Sequence, residues 1–154
     1  MKKQTCCFTG HRQIPKTEYE RIYKMLFDEI TTLVKKGITR FRCGGALGFD
    51  IAAALVVLDV RKLYPDVLLI MDIPCKNQSK FWSNEDKLTY DYILSVADEV
   101  NVLAPTYYNG CMQYRNRYMV DRSSYIIAYQ TESAGGSAYT VSYARDEGLR
   151  VIML

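Results

Sequence analysis

Apolar positions along the chain alternate between two spacings, one typical of strands and the other typical of helices. Short, nearly continuous apolar runs predict strands at residues 5–9, 38–43, 67–73, 99–103, 125–129 and 150–153. Between them, apolar residues three and four positions apart predict helices that begin at Thr17 and end before Gly37, and then cover residues 47–63, 83–97, 112–123 and 136–148. Thr17 and Glu20 have the spacing of a capping box at the start of the first helix.

The order of these elements, strand then helix throughout, predicts the fold class. Strict alternation with apolar strands is typical of a parallel sheet that carries helices on both faces. Right-handed crossovers then make the arrangement Rossmann-like and doubly wound. The sequence therefore predicts an α/β protein with one Rossmann-like domain over residues 1–154 and a mainly parallel sheet of about six strands.

Three loops that contain glycine follow predicted strands, and each has the composition of an anion-binding loop. Their residues are Gly10, His11 and Arg12; Gly44, Gly45, Ala46, Gly48 and Asp50; and Ala134, Gly135, Gly136 and Ser137. Glycine lets backbone N–H groups approach a ligand, and a helix that begins directly after the loop stabilises an anion there. Because the carboxyl ends of parallel strands share one edge of the sheet, the loops predict a site for a phosphorylated small molecule such as a nucleotide.

The polar residues at this edge each allow two interpretations. Arg12 is a natural fork for a phosphate, or an ordinary surface charge, and His11 either orients a ligand or caps its loop. Asp50 either complements the dipole of the second helix or binds a ribose hydroxyl or a base edge. Arg115 and Asn116 are expected at the opening of the fourth helix, outside the core, where they can reach a phosphate or sugar.

The glycine loops match neither of the two common phosphate-binding fingerprints. The segment at residues 44–50 is not GxxxxGK[ST], and it lacks the GxGxxG pattern of dinucleotide-binding loops. Tight turns with close packing explain its glycines equally well, so both interpretations stay open.

Composition narrows the choice of partners. The net charge is only +3, and no run of basic residues favours nucleic acid. Five cysteines without a CxxC pair, and a single histidine, predict reduced cytoplasmic thiols and no metal site or cofactor. The longest apolar run is too short to span a membrane. Tyrosines around the last two helices predict a homodimer, and they are Tyr107, Tyr108, Tyr114, Tyr118, Tyr139 and Tyr143.

Four motifs, in this order, resemble a known family. CxFTGHR at residues 6–12, GGALGFD at 44–50, RNRYMVDRS at 115–123 and GGSAYTVSYA at 135–144 are similar to the YpsA-like branch of the SLOG superfamily. That superfamily joins the DNA-processing protein DprA and the LOG, or "lysine decarboxylase-like", phosphoribohydrolases. The resemblance covers nearly the whole chain, and it implies a Rossmann-like fold that binds nucleotides or nucleotide-derived ligands.

The chain departs from the LOG hydrolases at the position that bears their chemistry. Met112 and Arg115 match the Met-x-x-Arg-Lys helix of the hydrolases, whereas Asn116 replaces its lysine. In the Pro-Gly-Gly-x-Gly-Thr-x-x-Glu loop, Ala134 replaces the proline and Ser142 replaces the glutamate. Serine cannot supply the negative charge that stabilises a developing oxocarbenium ion. Hydrolysis of an N-glycosidic bond by the LOG mechanism is therefore disfavoured, and no catalytic residue is assigned.

Three functions follow from the sequence. The first is binding or sensing of a nucleotide-like small molecule, such as a nucleotide-sugar, ADP-ribose or an NAD-like ligand. The second is a phosphoribohydrolase-like enzyme for nucleoside monophosphates that uses a relocated carboxylate such as Asp50. The third is a DprA-like binder of single-stranded DNA. The third is the weakest of these because the charge is modest, so the sequence does not predict a nucleic-acid partner.

Overall fold

The computed structural model describes residues 1–130 and 135–154, and within them it contains a six-stranded sheet whose strands all pair in parallel. The strands are β1 (Thr5–Gly10), β2 (Arg40–Cys43), β3 (Leu68–Ile73), β4 (Glu99–Val102), β5 (Tyr125–Tyr129) and β6 (Arg150–Met153). The helices are α1 (Lys16–Lys35), α2 (Phe49–Leu63), α3 (Asn84–Val96), α4 (Cys111–Asp121) and α5 (Gly136–Asp146). The predicted α/β, Rossmann-like fold is confirmed.

The larger core lies between the sheet and the helices α1, α2 and α3, which cover one of its faces. Along α1, residues three or four positions apart are buried against this face, among them Ile22, Leu26, Ile30 and Leu33. Helix α2 contributes mostly small and β-branched side chains, which let it pack closely over the middle of the sheet. Burial of such a continuous apolar stripe is what stabilises a surface helix of this kind.

The opposite face of the sheet carries α4, α5 and a smaller core. Cys7 belongs to this core with residues from both helices, whereas its neighbour Cys6 belongs to the larger core. The two thiols therefore point to opposite faces, as the alternation of a strand predicts. Asp72, fully buried in β3, is bonded by the Arg42 guanidinium at 2.9 Å and by the Asn101 amide at 3.0 Å. These bonds explain how a strand covered on both faces accommodates a charge.

One predicted helix cap is wrong and another is confirmed. Helix α1 begins at Lys16 with Pro15 as its N-cap, and the Glu18 N–H donates to the Pro15 carbonyl at 2.9 Å. Because the helix already includes Lys16, Thr17 lies within its first turn instead of at its N-cap, so Thr17 forms no capping box. Ser83 does cap α3, where its Oγ accepts the Asp86 N–H at 3.2 Å.

The strand order places a topological switch point in the middle of the sheet. The order is β4-β3-β2-β1-β5-β6, so the chain builds outward from β1 on one side and then crosses to β5 on the other. The loops after β1 and β5 therefore diverge to opposite faces and leave a crevice between them. In open α/β sheets, ligands bind at such a crevice, outside the carboxyl ends of the strands.

Candidate functional site

A cleft of about 460 Å³ opens at this edge of the sheet. It brings together residues that the sequence placed in three separate loops and one helix, namely Gly10, His11, Arg12, Ala46, Asp50, Arg115, Asn116, Gly135, Gly136 and Ser137. Whether each of them binds a ligand stays a prediction. Ala134, which the sequence placed in the third loop, lies outside the described residues.

Three helices begin at the cleft, and their N-termini are its main backbone feature. Asp50 of α2, Met112 of α4 and Gly136 of α5 all line the cleft from the first turn of their helices. The first N–H groups of a helix lack intrahelical partners and form the positive end of its dipole. The cleft therefore has a positive backbone potential in addition to its arginine side chains.

Arg115 lies deeper than the sequence predicted. It is only 3% exposed, and its guanidinium donates to the Gly44 carbonyl and, at 2.9 Å, to Oδ1 of Asn116. The prediction that it stands at a helix opening outside the core is wrong. Arg115 lies four residues after Cys111 and four before Met119, so all three side chains share the buried face of α4. Burial lowers the pKa of Arg115, and Asp50 acts in the opposite direction.

Three of the predicted glycines are not among the residues that line the cleft. A Cβ atom at Gly44 would lie 2.5 Å from Nη1 of Arg115, so this glycine makes room for the buried guanidinium. Gly45 has a φ of +75°, and a Cβ atom there would meet the ring of Tyr90 at 3.1 Å. Gly48 has a φ of +81°, and a Cβ atom there would overlap the Arg12 carbonyl. The tight-turn interpretation of these glycines thus has a direct geometric basis.

The position of Asp50 is compatible with both of its predicted roles, which are to complement the dipole of α2 and to bind a ribose hydroxyl or a base edge. Its side chain is 6% exposed, stands in the first turn of α2 and also lines the cleft. Burial raises the pKa of Asp50 to about 6, while Arg115, the Ala46 N–H and Arg12 act in the opposite direction. The carboxyl group can therefore change charge close to neutral pH.

The segment before α4 contributes cleft residues that the sequence analysis missed. Tyr107, Asn109 and Gly110 lie between β4 and α4, and Gln113 lies in the first turn of α4. A long irregular segment that follows a parallel strand was the available signal, because such loops lie at the ligand edge. Tyr107 is 59% exposed and presents an aromatic ring at the mouth of the cleft.

Other chemistry is not evident in the part of the chain that the structure describes. Residues 1–130 and 135–154 contain no group of three or more side chains suited to a metal ion. Within the same ranges, no helix is both long enough and apolar enough to cross a membrane. Ser142, at the position of the LOG glutamate, is exposed on α5 and is not among the described residues that line the cleft.

Comparison with known proteins decides the family. The family model YpsA, described as the YspA SLOG family, matches residues 6–150. The chain belongs to this family. A UPF0398 protein of Bacillus cereus strain G9842 is 31% identical over 130 residues, which cover 82% of this chain and 71% of the relative. The uncharacterised SPbeta prophage-derived protein YoqJ of Bacillus subtilis strain 168 is 35% identical over 137 residues, which cover 78% and 80% respectively.

Two solved structures share the fold of this family member. DNA processing protein A (DprA) from Streptococcus pneumoniae has a TM-score of 0.70 at 19% identity, with 99% of this chain covered. DNA processing protein A from Helicobacter pylori has a TM-score of 0.67 at 20% identity, with 97% covered. The chain spans 50% of the first protein and 64% of the second. The Helicobacter pylori structure describes a single-stranded DNA binding mode.

This finding corrects two predictions. The main prediction of a nucleotide-like small-molecule ligand, and the prediction against a nucleic-acid partner, are wrong, because both structural neighbours are DNA processing proteins. The prediction against nucleic acid was based on the net charge of +3 and on the absence of a basic run. Net charge and charge runs do not describe the local potential of the cleft, where the N-termini of three helices lie beside two arginines.

Proposed function

We propose that this SLOG family member binds single-stranded DNA, with the phosphate backbone of the strand lying in the cleft at the switch point. The observation that supports this most directly is the convergence of three helix N-termini with Arg12 and Arg115 in one cavity. Backbone N–H groups and arginine forks are the groups that proteins use to hold phosphate.

The two arginines have different parts in this proposal. Arg115 is fixed by its bonds to Gly44 and Asn116, so it offers a rigid positive charge at the floor of the cleft. Arg12 is exposed at the rim, where it can follow a phosphate that enters from solvent. A charge-assisted hydrogen bond from either side chain contributes about 1.5–3 kcal/mol to binding.

The remaining lining favours a single strand over a duplex. Tyr107 offers an exposed ring on which an unpaired base can stack. Asn109 and Gln113 offer exposed amides that can bond to base edges, which a duplex keeps paired and stacked. A cavity of about 460 Å³ accommodates a nucleotide-sized part of a strand but not the width of a double helix.

Fluorescence anisotropy tests this proposal. A labelled single-stranded oligonucleotide is titrated with the wild-type protein, with Arg12→Ala and with Arg145→Ala, and the same sequence is titrated as a duplex. Arg145 is an exposed control on the last turn of α5, at the far end from the cleft. We expect Arg12→Ala to weaken single-strand binding by about 10-fold or more and to reduce the salt slope by about one. Equal affinities for Arg12→Ala and Arg145→Ala, or a preference for duplex, would contradict the proposal.

We also propose that the protein forms a homodimer and acts in the cytoplasm. Four of the predicted tyrosines are exposed. Tyr107 lines the cleft, and Tyr108, Tyr114 and Tyr139, which are not among its lining residues, are available to an interface. The other two tyrosines predicted for the interface have partners within the fold. Arg122 stacks 3.5 Å from the ring centre of Tyr118, and the Tyr143 hydroxyl donates to Asp121 at 2.7 Å. Light scattering that reports a 17.7 kDa particle would reject the dimer.

A further inference from the structure

We infer that a second cavity, on the other side of Arg12, is a base-binding subsite in which Tyr19 stacks on the base next to the phosphate that Arg12 holds. The inference rests on the proposed single-stranded DNA binding. This cavity measures about 330 Å³, and Arg12 lines both it and the main cleft. A strand whose phosphate lies at Arg12 therefore has a cavity on each side of that phosphate.

The wall between the two cavities is a fixed piece of backbone. The Phe49 N–H donates to the His11 carbonyl at 3.0 Å, which ties the loop after β1 to the first residue of α2. The absence of a side chain at Gly48 lets the Arg12 carbonyl rest directly against the α2 N-terminus. Arg12 is therefore presented from a defined position, although its side chain is exposed.

The lining of the second cavity suits a flat base better than a phosphate. Tyr19, on the first turn of α1, is 44% exposed and offers the face of an aromatic ring. Ile14 and Leu47 are half-buried apolar neighbours, and Ile14 packs against the larger core. Stacking of bases on aromatic side chains is the usual way in which proteins hold unpaired nucleotides.

The polar rim gives this subsite a preference among bases. Gln13 and Asp86 both line the cavity and are exposed, and Asp86 stands in the first turn of α3. A carboxylate accepts hydrogen bonds but repels phosphate, so Asp86 is suited to the exocyclic amino group of a base. Cytosine and adenine carry such a group on their pairing edge and thymine does not. We therefore expect cytosine to be preferred over thymine here.

Anisotropy with three single strands separates this inference from the proposed function. The probes are an oligo-dC, an oligo-dT and an abasic strand of equal length. The variants are Tyr19→Ala, Tyr19→Phe, Asp86→Ala and the control Tyr92→Ala, which removes an exposed ring on α3 that lines neither cavity. Unfolding midpoints for each variant confirm that the proteins are folded.

We expect Tyr19→Ala to weaken oligo-dC binding about 10-fold, with Tyr19→Phe and Tyr92→Ala close to wild type and abasic binding unchanged. Asp86→Ala should bring the affinities for oligo-dC and oligo-dT together. If Tyr19→Ala binds like Tyr92→Ala while Arg12→Ala still loses affinity, the second subsite is wrong and the proposed function stands. Equal loss on the abasic strand also overturns the subsite, and failure of the wild type to bind any strand overturns both.

Discussion

At the scale of single residues, Arg115 and Asp50 are the buried charged residues among the described ones that line the cleft. Gly10, Arg12 and Gly136 were predicted at the ligand edge and line the cleft, because loops after parallel strands must end there. The burial of Arg115 was missed, because an arginine was expected at the surface even though it shares the face of α4 with the buried Cys111 and Met119. The sequence could not predict the raised pKa of Asp50 either, since that shift depends on burial among residues distant in sequence.

Arg115→Ala should destabilise the fold, because Arg115 is buried and does not lie outside the core as the sequence predicted. The substitution leaves the buried Gly44 carbonyl with only the longer bond, 3.4 Å, from Nε2 of Gln78, and it removes the charge beside the buried Asp50. We expect the free energy of unfolding to fall by about 2–3 kcal/mol in urea titrations. Arg117→Ala is the control, because the bond from Arg117 to the Tyr139 hydroxyl is exposed and long, at 3.4 Å, and its loss should cost less than about 0.5 kcal/mol.

Asp50→Asn should remove a dependence of stability on pH. The pKa of Asp50 in the folded protein is raised from 3.8 to about 6, so the native state holds the proton more tightly than the unfolded chain. The stabilisation from this proton is complete below about pH 4 and is lost as the pH rises through about 6. Asparagine does not titrate. The unfolding free energy of wild type relative to Asp50→Asn should therefore fall by roughly 2–2.5 kcal/mol between pH 4 and pH 7. Parallel stability curves for the two proteins over this range would show that Asp50 titrates normally.

At the scale of elements, the periodicity of apolar residues predicted the type of every strand and helix reported above, and it erred at helix ends. The strands at Tyr125–Tyr129 and Arg150–Met153 have the predicted bounds, because turn residues flank short apolar runs. Helix α2 begins two residues later than predicted, since Gly48 has a positive φ that a helix cannot include. Such local backbone geometry is set by contact with the Arg12 loop, which periodicity does not describe.

Gly48→Ala should separate backbone strain from packing at the junction of the β1 loop and α2. Both Gly48 and Gly37 have a positive φ, but a Cβ atom at Gly48 would overlap Arg12, whereas at Gly37 it would meet nothing within 4 Å. Gly37→Ala should thus cost only the strain of its backbone, about 1 kcal/mol. Gly48→Ala should cost at least about 1 kcal/mol more in unfolding free energy and should weaken strand binding by shifting Arg12. Equal destabilisation by the two substitutions would mean that the loop around Arg12 shifts to accommodate the Cβ atom without a cost in free energy.

At the scale of the whole molecule, the alternation of strands and helices predicted a parallel sheet. The order of the strands in that sheet was not predicted and is seen only in the structure. The order β4-β3-β2-β1-β5-β6 puts the switch point between β1 and β5, and this is why distant glycine loops share one cleft. Net charge, also a property of the whole chain, led to the wrong prediction against a nucleic-acid partner. A charge of +3 spread over the surface does not describe the potential at the site where helix N-termini meet.

An NMR titration of the ¹⁵N-labelled protein with unlabelled single-stranded DNA tests most directly whether a strand binds in the cleft. It reports binding and its location together. We predict that the largest amide shifts fall at Gly10, Met112, Gly136 and Ser137, where the loop after β1 and the N-termini of α4 and α5 line the cleft. Amides at the opposite edge of the sheet, such as Gly37, Ser124 and Gly148, should not move. Shifts that cluster at that opposite edge, or no shifts at saturating DNA, would contradict the account.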